Sequence, residues 1–226
     1  MTGNNQKIKL NQMFLNDGKR SKISRSKGFG IVYCSSMRII AGTKRGMKLF
    51  SPKRGQSRPI TDRVKESLFN VLYKYELPEG KIVADLFCGV GSLGLEALSR
   101  GAKFVTFVEK NPKVIATLKK NIGKAGFAGE SKIIRADAFK VGTSVDEQKH
   151  DLIFVDPPYS DTKDVRDDSA LSRLLTLLNK QSAPDGIVVV RTQRRIELLK
   201  QYDPFKTIER RQWGTMAVTI LQKSSK

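Results

Sequence analysis

Ile82-Val83-Ala84-Asp85-Leu86-Phe87-Cys88-Gly89-Val90-Gly91-Ser92-Leu93-Gly94 changes character twice: an apolar run of strand length breaks into glycines, and helical spacing resumes at Leu93. A buried parallel strand reads as such a run, and glycines supply the tight turn into a helix. The loop satisfies G-x-G-x-x-G and precedes Glu109 by about twenty residues, the spacing of a dinucleotide-binding βαβ unit. Outward from it, short apolar runs alternate with helical stretches. Parallel strands are predicted at 82–87, 104–108, 132–135, 152–155 and 187–190, joined by helices at 93–100, 112–125, 169–179 and 194–201. The runs 205–210 and 216–222 flank Trp213-Gly214-Thr215 and read as an antiparallel pair. The pattern predicts an α/β fold, a doubly wound and mostly parallel sheet of seven strands.

Asp85 argues against a dinucleotide. A carboxylate four residues before the first glycine lies close to where a pyrophosphate would sit, and like charges there are costly. S-adenosylmethionine has no phosphate, and its cationic amino and sulfonium groups suit a carboxylate. Gly89 and Gly91 then offer loop amides to its carboxylate. Glu109 is placed to accept from both ribose hydroxyls. Asp137, with Ala138 beside it at the close of the third strand, is assigned to the adenine amino group. Any one of these acids alone would read as an ordinary strand-end or helix-capping residue; three at successive strand ends around one glycine loop favour the cofactor.

A second stretch, Asp151-Leu152-Ile153-Phe154-Val155-Asp156-Pro157-Pro158-Tyr159, ends its strand abruptly. Pro157 cannot donate to a ladder, and Asp156, preceding proline, is held extended. The tetrapeptide offers a carboxylate (Asp156), a donor-free carbonyl (Pro157) and a stacking ring (Tyr159), a set that suits a planar aromatic amine. Taken alone it reads equally well as a Pro-Pro turn with a capping Asp.

Bulk composition narrows the class. Forty-two Lys and Arg against 22 Asp and Glu give +20, an excess whose usual partner is a phosphate backbone. Two distant cysteines and a single histidine supply neither a disulfide framework nor a metal site. No apolar run approaches the roughly 20 residues of a membrane span. A soluble, reduced, intracellular, metal-free protein is expected, and His150 reads as a surface residue before its strand.

The amino-terminal part divides into two. Residues 1–36 carry seven basic residues and one acid, with little apolar periodicity, and read as a disordered basic tail. A transit peptide, or a natural start at Met37, are the other readings of this tail. Residues 37–60 read as a projecting basic hairpin, with Arg38, Lys44, Arg45, Lys48 and Arg58 placed to grip phosphates. A helix over 61–75 opens the main domain, 61–226, with Thr61 or Asp62 capping its first turn.

The glycine loop with Leu95–Ala102, Asp156-Pro157-Pro158-Tyr159, Met37–Gly42, Gly46 and Arg58–Asn70 together resemble the RsmD-type methyltransferases, class I S-adenosylmethionine-dependent enzymes. The resemblance covers Met37 to about Gln222. It implies a Rossmann-like sheet and methyl transfer to guanine N2 in small-subunit ribosomal RNA, with the RNA or the subunit as partner. It further implies a monomer in the cytoplasm, or in an organelle if the tail is a transit peptide. The tetrapeptide is shared with DNA adenine-N6 and cytosine-N4 enzymes, which form the alternative. Glutamine methyltransferases carry Asn where Asp156 stands. A nicotinamide dehydrogenase and an inert RNA-binding protein are remoter readings.

Overall fold

The computed structural model describes residues 31–52, 60–143 and 148–224. Of the tail expected over 1–36, residues 1–30 lie outside the described residues, and so does Arg58, expected to grip phosphates.

Two strands, β1 (Ile31–Arg38) and β2 (Lys48–Pro52), pair antiparallel. The paired hairpin thus starts at Ile31, before the expected boundary at Met37. Helix α1 (Asp62–Leu72) follows, with the Thr61 hydroxyl accepting from the Val64 N–H at 3.4 Å. The main sheet alternates with helices thereafter: β3 (Ile82–Leu86), α2 (Ser92–Ser99), β4 (Phe104–Glu109), α3 (Pro112–Ala125), β5 (Ser131–Arg135), α4 (Ala138–Val141), β6 (His150–Val155), α5 (Ala170–Gln181) and β7 (Ser182–Gln193). Three more strands close it: β8 (Gln201–Tyr202), β9 (Phe205–Trp213) and β10 (Met216–Lys223). Local chemistry sets the boundaries. In α3, Asn111 caps the start, Pro112 sits where no N–H is needed, and Gly126 ends the helix at φ 75°.

Among the described residues the sheet order is β5-β4-β3-β6-β7-β10-β9-β8, eight strands rather than the seven expected. The extra strand is β8, a two-residue edge paired to β9. It belongs to the stretch where a helix was expected over 194–201. Instead Ile196 N–H closes a turn on Gln193 at 2.9 Å, and Arg210 takes the carbonyls of Arg194 and Ile196 at 2.7 and 3.2 Å. These bonds hold the stretch as a turn lying against β9.

Both faces of the parallel strands are covered, which is why they read as unbroken apolar runs. Along β6, Leu152 and Phe154 face the layer of α1, α2 and α3, while Ile153 and Val155 face α5. Leu171, Leu174, Leu175 and Leu178 of α5 are fully buried, each contributing about 1.5–3 kcal/mol of gross burial. His150 is also fully buried, within hydrogen-bond distance of Thr106 Oγ1 (3.2 Å), which corrects its reading as a surface residue. Burial lowers its pKa below the ordinary histidine value. Among the described residues no helix is long and apolar enough to cross a membrane.

The hairpin does not project. Its turn lies along α2 and is stitched to it. Glu96 accepts from the N–H groups of Ile40 and Ala41 at 2.8 and 3.0 Å, and the Ser99 carbonyl accepts from Thr43 at 2.8 Å. A Cβ on Gly42 (φ 76°) would lie 1.6 Å from that Ser99 carbonyl oxygen, so only glycine allows the approach. On the α3 side, buried Asn121 bonds both backbone groups of Phe50 (2.8 and 3.1 Å) and the Val90 carbonyl (3.0 Å), tying β2 to the glycine loop.

Candidate active site

Sheet order reverses between β3 and β6, and open α/β sheets bind ligands at such a switch point. The two decisive stretches end side by side there: Leu86 pairs with Val155, and the Asp156 N–H reaches the Leu86 carbonyl at 3.4 Å. A cleft of about 2060 Å³ opens above them. Its wall includes Asp85, Gly89, Glu109, Ala138, Asp156, Pro157 and Tyr159.

The glycine loop leaves β3 through left-handed backbone at Phe87 (φ 58°), Gly89 (φ 56°) and Gly91 (φ 87°). A non-glycine residue there is strained, and strain of this kind gathers at functional sites. The glycines differ in purpose. A Cβ on Gly94 would meet the Phe107 ring at 2.3 Å and one on Gly91 would meet Leu118 at 2.5 Å, so both serve close packing. A Cβ on Gly89 would meet nothing within 4 Å, and the residue lines the cleft.

The acids brace this loop. Asp85 Oδ2 accepts from the Gly94 N–H at 2.8 Å and so fixes α2 on β3. Burial pushes its pKa up to about 7; the Gly94 bond opposes the rise, and Asp156 and Glu109 add to it. Glu109 accepts from Gly89 at 3.1 Å and from Asn111 at 2.8 Å, one bond on each oxygen, with lone pairs to spare. Asp137 is placed differently. It caps α4 through the Phe139 N–H at 3.1 Å, lies 3.9 Å from Lys110, and is absent from the cleft wall, which its neighbours Ala136 and Ala138 reach.

Asp156 is held by a residue that sequence reasoning missed. Arg191, on β7 beside β6, forms an ion pair with its Oδ1, and the same guanidinium lies 5.7 Å from the Tyr159 ring centroid. Burial raises the Asp156 pKa and Arg191 opposes the rise. An arginine inside the apolar run Ile187–Val190 to Thr192 was the available signal. A charge at the end of a buried strand needs a partner.

Comparison with known proteins places this geometry in a lineage. The chain is 42% identical over 125 residues to ribosomal RNA small subunit methyltransferase D of Haemophilus influenzae, a match covering 54% of this chain and 64% of the relative. A family profile described as conserved hypothetical protein 95 matches residues 37–222. The chain belongs to this family, the RsmD-type methyltransferases. A Bacillus subtilis relative, YlbH, named provisionally as an rRNA methyltransferase, is 34% identical over 191 residues, which cover 83% of this chain and 99% of that protein. The solved structure of an Escherichia coli protein, yhhF, provisionally a methyltransferase, superposes with a TM-score of 0.69 at 28% identity over 85% of this chain and all of that one.

In this RsmD-type chain the described residues among those expected to grip RNA (Arg38, Lys44, Arg45 and Lys48) are not part of the cleft wall. Lys44 and Arg45 lie in the turn beside Ser99, at the far end of α2 from the glycine loop, and Lys44 Nζ sits 5.7 Å from the Phe127 ring centroid. Arg38 Nε bonds Asp62 at 2.8 Å, and exposed Lys48 gives its carbonyl to Lys124 at 2.7 Å. Cationic residues that sequence reasoning did not assign line the cleft instead: Lys113 and Lys120 on α3, and Arg194 and Arg195 after β7.

Proposed function

We propose that this protein transfers a methyl group from S-adenosylmethionine to the exocyclic N2 amine of a guanine in small-subunit ribosomal RNA. The carrying observation is the meeting of the glycine loop and Asp156-Pro157-Pro158-Tyr159 in one cleft at the switch point. The names of the curated relatives support ribosomal RNA as the substrate.

The residues fit the cofactor. Gly89 leaves open space where a side chain would intrude, and the floor is carboxylate-lined, which favours a cationic ligand over a pyrophosphate. Glu109 would accept from the ribose hydroxyls, Asp85 would face the cationic amino group, and the Ala138 backbone would meet adenine, while Asp137, outside the cleft wall, holds that backbone by capping α4. When bound, the cofactor supplies an electrophilic methyl. The target nucleotide, drawn out of its RNA context, would stack on Tyr159. Its two amine N–H groups would donate to the Asp156 carboxylate and the Pro157 carbonyl. That pulls the nitrogen toward tetrahedral geometry and aims its lone pair. Positive charge grows on nitrogen at the transition state, and the carboxylate stabilises it there more than in the ground state.

The test is transfer of labelled methyl to separate pools of small-subunit rRNA and DNA, with the product digested to nucleosides. N2-methylguanosine from rRNA is the expected label; label in DNA alone, at adenine or cytosine, would replace this assignment.

Asp85 makes cofactor binding pH-dependent. With a pKa of about 7, it is neutral below that pH and ionised above it. A cationic ligand favours the ionised form, so affinity rises with pH through this range and then levels. Below it, affinity falls by up to about tenfold per pH unit. Calorimetry between about pH 5.5 and 8.5 reads this directly, and a flat profile would mean that Asp85 does not face the cationic group.

A further inference from the structure

The cleft sorts charge by depth. Its floor holds the carboxylates Asp85, Glu109 and Asp156, while its mouth carries exposed Arg194 and Arg195 on one side and exposed Lys113 and Lys120 on the other. We propose that the turn bearing Arg194 and Arg195, braced against the β9–β10 turn, is the shelf that docks RNA phosphates beside the target nucleotide. The proposal rests on the RNA reading above and adds where on the protein the backbone is held.

Three observations carry it. First, both arginines keep their charge available. Arg194 Nε bonds the neutral amide oxygen of Gln212 at 2.9 Å and Arg195 Nε that of Gln193 at 3.0 Å. Among the described residues neither guanidinium has a carboxylate within ion-pair distance. Each fork is oriented by its amide partner, with other N–H groups left for a phosphate, the anion whose geometry a guanidinium matches.

Second, the backbone beneath them is fixed before RNA arrives. The Arg194 N–H bonds the Thr215 carbonyl at 2.9 Å, and Arg210 holds the carbonyls of Arg194 and Ile196. A shelf already rigid loses less freedom on binding.

Third, the reach is right. Arg194 stands three residues beyond Arg191, the partner of Asp156, which is about 10 Å along an extended chain. A nucleotide whose amine is at Asp156 therefore has its neighbouring phosphates within range. Lys44 and Arg45 are absent from the cleft wall and lie at the far end of α2, whose eight residues span about 12 Å from the glycine loop.

The test compares two double variants, Arg194→Gln/Arg195→Gln and Lys44→Gln/Arg45→Gln, in binding to transcribed small-subunit rRNA across a salt series. Each lost phosphate contact lowers the slope of log K against log salt by about 0.7–0.9. The arginine pair is expected to lower it by about 1.4–1.8 with cofactor affinity and thermal stability unchanged, and the hairpin pair to leave it as in the wild type. An unchanged slope in the arginine variant would overturn the shelf while leaving the RNA reading in place. Equal losses in both variants would mean diffuse attraction, and would overturn it too. A wild-type protein with no salt-dependent affinity for this RNA would overturn both the shelf and the reading it rests on.

Discussion

Replacing Asp156 by Asn is expected to lower kcat by about 10²-fold or more, the loss typical of removing an electrostatic transition-state contact, while cofactor affinity stays near that of the wild type. The amide keeps the shape and one acceptor oxygen, so the amine can still dock. What disappears is the negative charge beside a nitrogen that becomes cationic as the methyl arrives. Arg191 complicates the experiment in a useful way. Arg191 is 8% exposed and its guanidinium would lose its counter-ion, and an unpaired buried charge is itself destabilising. The double variant Asp156→Asn/Arg191→Gln removes both charges and restores neutrality. If the single variant were slow only because the cleft had distorted, the double would recover turnover. Continued loss in the double, with cofactor still bound, assigns the effect to the carboxylate. Wild-type turnover in folded Asp156→Asn would end the proposed role.

Glu96→Ala is expected to destabilise the fold by about 3–5 kcal/mol, the cost of breaking a buried ion pair. Glu96 is fully buried between two cations: Arg100 Nε at 2.8 Å and Lys65 Nζ at 3.4 Å. Burial lowers the Lys65 pKa, and Glu96 is the main group opposing it. Truncation therefore leaves two buried cations and also orphans the N–H groups of Ile40 and Ala41. Arg100 retains some compensation, since it stacks 4.6 Å from the Phe69 ring centroid. For a chain of this length, each kcal/mol moves Tm by about 2–4 °C, so a fall of roughly 6–20 °C should appear in thermal unfolding. Glu96→Gln keeps the acceptor oxygen and should fall less. A Glu96→Ala protein melting within about 2 °C of the wild type would mean that the hairpin and the two cations are held without Glu96.

The strand–loop–helix at 82–94 and the strand break at Asp156-Pro157 are legible in the chain because their causes are local. Apolar runs, glycines that permit positive φ, proline's missing N–H and capping side chains all act within a few residues. The five parallel strands and helices α1, α2, α3 and α5 follow from that, to within a few residues at most ends. Lys65 was legible in principle as well: it lies three and four positions before Leu68 and Phe69, on the buried face of α1. Its reason for being there was not, because Glu96 and the Arg38 carbonyl come to it from distant segments. Sheet order decided the rest. Only the pairing of β3 with β6 brings Asp156 to the glycine loop, and only the pairing of β6 with β7 gives Asp156 its arginine. The same holds for the cations. Charge is visible in composition, but which end of the sheet a lysine occupies depends on the direction in which the hairpin lies along α2. That direction is set by hydrogen bonds between residues more than fifty positions apart, and no local periodicity encodes them.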